Sequence, residues 1–236
     1  MPNFIDNNLP TIADKLQIHK IKNVLRLQKG DRIQIFDQNS KEYTAKIDQI
    51  KENSIILNVL TQREERSSRY KINLAVAFPK GKRGDWIIEK STELGVDSIF
   101  ILETERSIMN PGKGRINKWK QIATSAAEQC GRVTVPNIER KLIEQIEGVK
   151  IVAVTDSKEH INKKLEEMHM NDRDITFFVG PEGDWTEQEI TQFKDSEAIL
   201  VSLGDKILRV ETASIVGIYS LGIQRQYLKQ FSQTKT

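Results

Sequence analysis

Apolar and polar positions alternate along residues 32–61. RIQIFD, YTAKIDQI and SIILNVLT each place an apolar residue at every second position, and the turn-rich QNSK and KEN separate them. Short strands at this spacing predict a small antiparallel barrel. Before them Ile18, Ile21, Val24 and Leu25 fall at helical spacing, with Lys20, Lys22 and Arg26 interleaved. QREERSSR (62–69) is short and charged and reads as a linker. Beyond residue 70 the period changes. YKINLAVAF, DSIFILE, KIVAVT, ITFFVG and AILVSL are nearly continuous apolar runs. Helical segments stand between them: Trp86–Leu94 ending at Gly95, Asn117–Cys130 ending at Gly131, Glu159–Met168, and 186–193 opened by Thr186 with Glu189 three residues on. A long helix, Glu211–Leu228, closes the chain. Strands that alternate with helices and are apolar throughout predict a mostly parallel sheet covered on both faces. The division expected is a barrel over 1–70 and an α/β domain over 71–236.

Composition narrows the function. The chain has 236 residues, 38% hydrophobic and 29% charged. No run approaches the roughly 20 apolar residues of a membrane span. The opening MPNFIDNNLP has neither a basic nor an apolar segment of the kind a secretory signal needs, so the expected address is the cytoplasm. A single cysteine, Cys130, cannot build a disulfide framework, and with no His or Asn in a partner position nearby it reads as a small buried residue and not a nucleophile. The three histidines are not in metal-protease spacing, so no metal is expected. Net charge is +3, and residues 1–70, with 12 Lys and Arg against 9 Asp and Glu, hold the whole excess. That points weakly to a polyanion partner for the first part.

Two loops after strands carry candidate chemistry. VGPEGDW (179–185) has Gly180 and Gly183 for close backbone approach and Pro181 for a fixed turn. It lacks the glycine spacing of a dinucleotide loop and the lysine of a nucleotide triphosphate loop. SLGDKILRVETAS (202–214) offers Gly204 for a positive-φ turn, and Ile207 and Leu208 for the wall of a pocket that takes an apolar ring. Arg209, expected as a buried guanidinium at the pocket mouth, and Glu211 flank Val210. Upstream, ETERS (103–107) brings Arg106 to the same sheet edge, and AAEQCGR (126–132) gathers Glu128, Gln129 and Arg132 at a helix end.

In that order IHKIKNVLRLQKGD (18–31), KSTELGVDSI (90–99), ETERS, AAEQCGR, VGPEG and LGDKILRVETA resemble the family of ribosomal small-subunit methyltransferase E, over about residues 18–222. These enzymes methylate N3 of one uridine in 16S ribosomal RNA. The resemblance implies an RNA-binding PUA-like β-barrel followed by a SPOUT methyltransferase domain with a deep trefoil knot. It implies a homodimer, and the apolar stripe Ile215, Ile218, Tyr219 and Ile223, wider than one sheet face covers, predicts the last helix or the 117–130 helix at its interface. It also implies S-adenosylmethionine against Gly180, Pro181, Glu182, Gly183, Leu203, Gly204, Ile207, Leu208 and Arg209, with Thr155 at a third strand end. RNA would meet Lys20, Lys22, Arg26, Arg106, Glu128, Gln129 and Arg132. Three departures stand out. Asp184 replaces the second glycine of the usual GPEGG, Lys206 stands where arginine is common, and the first arginine is Arg26.

Uracil N3 must lose a proton before it can attack a sulfonium methyl. Arg209, Arg106 and Arg132 are candidate stabilisers of the resulting anion, and Glu128, Glu182 and Glu211 are candidate bases. Glu182 and Glu211 could instead hold loop backbone by accepting N–H bonds. Two competing readings stand beside the favoured one. One is an RNA-binding or assembly factor without catalysis, in whose favour only Asp184 speaks and which a cofactor-binding measurement separates. The other is a SPOUT enzyme for tRNA, against which EQCGR and ETERS argue.

Overall fold

The computed structural model describes residues 10–36, 41–64, 70–168 and 173–233. The acid- and amide-rich opening residues 1–9 and the linker residues 65–69 lie outside the described ones. The chain forms two compact units, Met1–Ser67 and Ser68–Thr236.

In the first unit four antiparallel strands, β1 (Thr11–Ile12), β2 (Arg32–Phe36), β3 (Lys41–Ile50) and β4 (Ile55–Glu64), run in the order β1-β4-β3-β2. The alternation fixes which face is inside: Ile35, Ala45, Ile47, Ile55 and Leu57 are buried, and Ile12, Ile18 and Ile21 close over them. Register shifts after Thr44 and Ile47 bend β3. β4 continues through Gln62–Glu64, opposite Lys41–Tyr43, so the expected linker begins as strand. A ladder end in solvent needs backbone partners and no apolar side chains.

Helix α1 (Lys15–His19) is capped by Asp14, whose carboxylate accepts from the Gln17 N–H at 2.9 Å. It runs into one wide π-type turn, Lys20–Val24. The extra residue in that turn rotates the apolar stripe off the core. Val24 and Leu25 are 65% and 53% exposed, against the expectation that they share the buried face of Ile18 and Ile21.

The second unit is a six-stranded sheet, all parallel, in the order β10-β8-β9-β5-β6-β7. Its elements are β5 (Ile72–Val76), α2 (Arg83–Glu93), β6 (Ser98–Ile101), α3 (Lys113–Cys130), β7 (Asn137–Arg140), β8 (Val149–Ala153), α4 (Ile161–Glu167), β9 (Ile175–Val179), α5 (Glu187–Asp195), β10 (Ile199–Val201) and α6 (Val210–Gln233). β7 was not foreseen: NIER has one buried apolar residue, Ile138, and lies on the sheet edge. Leu74, Val76, Phe177 and Val179 pack with Ile87, Ile88, Trp119, Ile218 and Leu221 on one face. Ala75, Phe100, Val152 and Phe178 pack with Trp185 and Phe193 on the other. This two-sided burial is what the continuous apolar runs require.

The foreseen helix ends hold. Gly95 (φ 89°) follows α2, and Gly131 (φ 75°) terminates α3. Thr186 and Glu189 form the capping box of α5. Gly217 lets α6 lie directly on β9, because a Cβ there would overlap the Phe177 ring. Cys130 is exposed, not buried, because the last turn of α3 overhangs the core edge beyond Ala126 and Ala127. Among the described residues no helix is long and apolar enough to cross a membrane, and no group of His, Cys, Asp and Glu could hold a metal ion.

Candidate active site

Strands β5, β6 and β7 step outward in one direction. β8 then lies two places away on the other side, β9 fills the gap between it and β5, and β10 takes the far edge. The direction of chain progress therefore reverses among β8, β9 and β10. Beyond the carboxyl ends of strands at such a reversal, parallel sheets form ligand crevices.

A cleft of about 480 Å³ opens there, within the range of small-molecule sites. Its walls are Ala153–Thr155, Val179–Asp184, Ser202–Val210 and Ala213. All ten residues expected against the cofactor line it: Thr155, Gly180, Pro181, Glu182, Gly183, Leu203, Gly204, Ile207, Leu208 and Arg209. Val179, Pro181, Leu203 and Leu208 give apolar wall, Glu182, Asp184 and Asp205 give carboxylates, and Lys206 and Arg209 give cations. That mixture suits a ligand with an aromatic ring and charges of both signs.

The loop after β9 is held from four sides. Trp185 turns under Gly180, whose Cβ would come within 2.9 Å of the indole, and the indole N–H donates to the Ala153 carbonyl at 2.9 Å. Arg106 lays its aliphatic stem on Gly183 and donates to the Gly183 carbonyl at 2.8 Å and the Trp185 carbonyl at 3.4 Å. Arg83 of α2 pairs with Glu182. Asp184 sits in the left-handed region (φ 61°), which is why glycine suits the position. Its carboxylate accepts from the Thr155 hydroxyl at 2.7 Å and from the Trp185 N–H at 2.8 Å, so it ties the loops after β8 and β9 together. Glu189 adds a brace. One carboxylate oxygen accepts from the Thr186 N–H at 2.8 Å and the other from the Glu105 N–H at 3.0 Å.

Several expected roles change with this geometry. Arg106 spends its guanidinium on loop carbonyls and so positions the loop. Arg209 is exposed, not buried, and Ile207 is 85% exposed, because Gly204 (φ 126°) turns the loop after β10 away from the sheet. Arg132 donates to the Thr92 carbonyl at 2.7 Å and to Thr134 at 3.2 Å, closing the carboxyl end of α2. Glu128 is half-buried and Gln129 exposed. In the first unit Lys20 and Arg26 are exposed, whereas the Lys22 ammonium donates to the carbonyls of Lys51 and Glu52 at 2.5 and 3.2 Å.

Glu211 differs from its neighbours. It is 7% exposed, and its Oε2 has no hydrogen-bond partner. Neither it nor Glu182 holds loop backbone in the way one reading allowed; Glu182 instead pairs with a side chain. An unpartnered buried carboxylate costs free energy, which makes it a candidate for chemistry. Sequence reasoning missed Lys82, Arg83 and Asp85 at the start of α2. Asp85 accepts from the Lys118 ammonium at 2.5 Å and the Trp119 indole at 2.9 Å. Burial works against its ionisation, but these bonds and the charges of Lys118 and Arg115 outweigh it and hold the carboxyl below its usual range. The signal for these residues was the PKGKRGDW stretch after a strand, which has the same placement as the two loops recognised.

A family model of an RNA methyltransferase domain matches residues 66–221, and one of an RNA methyltransferase PUA domain matches residues 17–60. The ribosomal RNA small subunit methyltransferase E of Synechocystis is 31% identical over 86% of this chain and 69% of its own length. That of Bacillus subtilis is 26% identical over 90% of each. Among solved structures, ribosomal RNA small subunit methyltransferase E from Neisseria gonorrhoeae, bound to S-adenosyl methionine, superposes with a TM-score of 0.80 and 29% identity, covering 94% of this chain and 97% of that one. A Legionella pneumophila protein in complex with the same cofactor gives 0.78 and 26%, over 95% and 94%. With both domains matched in order and the likeness running through both units alike, the chain belongs to the ribosomal RNA small subunit methyltransferase E family.

Proposed function

We propose that this protein transfers a methyl group from S-adenosylmethionine to N3 of one uridine in the 16S rRNA of the small ribosomal subunit, in the cytoplasm and as a homodimer. The observation that carries this reading is the convergence of three strand-end loops on one cleft with apolar walls and charged groups of both signs. The adenine would lie between Leu203, Leu208 and Pro181, and the positive end of the cofactor would face the carboxylate side. When bound, the cofactor supplies an electrophilic methyl and keeps the electron pair of the bond that breaks.

The residues of the chain do the rest. Glu211 accepts the N3 proton, a role its unpartnered oxygen supports. Arg209, exposed at the cleft mouth, faces the charge that spreads onto the uracil oxygens. Arg106 and Asp184 hold the loops in place, so positioning is set before substrate arrives. Residues 1–70 grip rRNA through Lys20, Arg26 and their neighbours, and residues 71–236 form the methyltransferase. The strand order, with β9 between β5 and β8, supports a knotted SPOUT arrangement of the loops around the cleft. Tyr219, 56% exposed on α6, and the half-buried Ile215 and Ile223 support a subunit interface along that helix.

The test is mass mapping of modified nucleotides in 16S rRNA from cells with and without the protein, beside calorimetry of S-adenosylmethionine binding. Loss of one methyluridine together with measurable binding is expected. An unchanged methylation map defeats the reading.

A further inference from the structure

A second cavity, wider and shallower, lies between the first turns of α2 and α6. It is lined by Lys82, Arg83, Trp86, Glu211, Thr212 and the Ile207–Arg209 stretch. We propose that this cavity seats the target base itself, with Trp86 as the stacking wall and Glu211 as acceptor for an imide N–H. The inference rests on the methyltransferase reading and deepens it by naming where the base goes and how it is recognised.

Three observations converge on it. Trp86 is 45% exposed, although Ile87 and Ile88 beside it are fully buried. The α2–α3 contact through Asp85 and Trp119 fixes the turn that carries it. A large ring held rigidly at the surface is a stacking platform, and every base offers a π-face to it. Glu211, 7% exposed, lines the cavity, and its buried Oε2 just behind that wall has no partner. Lys82 and Arg209 are exposed on the same wall, while Arg83 is held by Glu182.

The edge of uracil presents an acceptor, a donor and an acceptor. A carboxylate with cations on the same wall is the complement of that edge. Cytosine would turn its N3 lone pair toward the carboxylate and its amino group toward a cation, so it is rejected on both counts. Ile207, Leu208 and Arg209 line this cavity and the cofactor cleft alike. A base stacked on Trp86 is therefore the neighbour of whatever occupies the cleft. A base paired or stacked in RNA reaches such a seat only by leaving its stack. In the step itself the N3 proton passes to Glu211, the N3 electron pair forms the bond to the methyl carbon, and the pair of the broken carbon–sulfur bond stays on sulfur.

The experiment uses the full-length protein with S-adenosylmethionine and small subunits isolated from cells lacking the protein. Trp86→Ala is expected to lower kcat/KM for the subunit at least about tenfold, the scale of one lost base–aromatic stack. The cofactor Kd should stay within about twofold, and sedimentation should not change. Trp86→Phe should stay within about threefold of the unaltered protein. Glu211→Gln should lose transfer at pH 7 and regain it about tenfold per pH unit as the base loses its proton unaided. Wild-type transfer by Trp86→Ala or Glu211→Gln overturns the proposal. So does a Trp86→Ala protein that sediments as a smaller species, which would make this wall a subunit interface. If the unaltered protein neither binds the cofactor nor methylates the subunit, the functional reading falls first and this one with it.

Discussion

The two units solve the problem of carrying function in opposite ways. The first has a core of eight buried aliphatic residues, and among its described residues no polar side chain is buried. What it offers a partner is on its outside, and its net charge of +2 is most of the chain's +3. The second unit carries charge almost in balance but encloses polar groups: Asn73, Ser91, Thr92, Thr176, Thr186, Glu189, Glu211 and Ser214 are all buried in it. Many are satisfied locally, as when the Thr92 hydroxyl donates to the Ile88 carbonyl at 2.7 Å and that of Ser214 to the Val210 carbonyl at 2.8 Å. A unit that works through its surface tolerates a purely apolar interior. A unit that works through a cleft must bring polar groups inside and brace most of them, and the Glu211 carboxylate is left with an unpartnered oxygen.

The strongest way to break this comparison is to spoil the core of one unit only. Gly217→Val would drive two methyls into the Phe177 ring and should destabilise the second unit by about 3 kcal/mol or more. All three tryptophans, Trp86, Trp119 and Trp185, lie in that unit, so their fluorescence should melt early in denaturant while the circular dichroism of the first unit survives. A single shared transition would deny the separateness. Next in size is removal of residues 1–70. The shortened protein should still bind S-adenosylmethionine by calorimetry, because every cleft residue remains. It should lose rRNA affinity and much of its salt dependence, since the phosphate contacts proposed for Lys20 and Arg26 go with that segment. Full activity on assembled small subunits would refute it.

Arg209→Ala comes third. It should fold normally and lower single-turnover methyl transfer at least about tenfold with saturating cofactor, through loss of a charge at the cleft mouth. The smallest effects sharpen the idea of bracing. Asp184→Gly relieves a left-handed backbone but removes the Thr155 bond, two terms of about 1 kcal/mol each with opposite sign. A thermal melt should therefore shift by only a few degrees, whereas Asp184→Val, which keeps the strain and loses the bond, should be clearly less stable. Asp85 has its carboxyl held below the usual range in the folded chain, so its contribution is full above about pH 4, its unfolded value. That stability fades as pH falls below this. Acid titration of melting in the parent and in Asp85→Asn should converge at low pH.

Period and apolar content made most of the architecture legible. Continuous runs gave the buried strands of the parallel sheet, and alternation gave the half-buried ones of the first unit. What escaped had physical causes. Val24 and Leu25 fit a helical stripe, but one wide turn re-phased them. β7 has a single buried residue, too little for any period. The cleft residues were legible because glycines and a proline at strand ends leave a strong mark. The division of labour among charged residues was not. Nothing local distinguishes Arg106, which holds loop carbonyls, or Arg132, which closes a helix, from Arg209, which stands in solvent at the cleft mouth. Trp86 belongs to its helix by spacing, and only the fold reveals that its ring faces outward beside a buried carboxylate.

The place of β9 has a consequence for the order in which the chain is made. On the ribosome the first unit is complete once its own four strands have emerged, with every partner within about fifty residues. The second unit waits. β5 leaves the ribosome early, but its neighbour β9 follows a hundred residues later and must enter between β5 and β8. α6, which closes over β9 through Gly217 and Phe177, is last of all. Until then the central apolar strands stand half-covered, so the nascent protein carries a finished first unit ahead of an unfinished sheet, and the slow step of its biogenesis falls at the very end of translation.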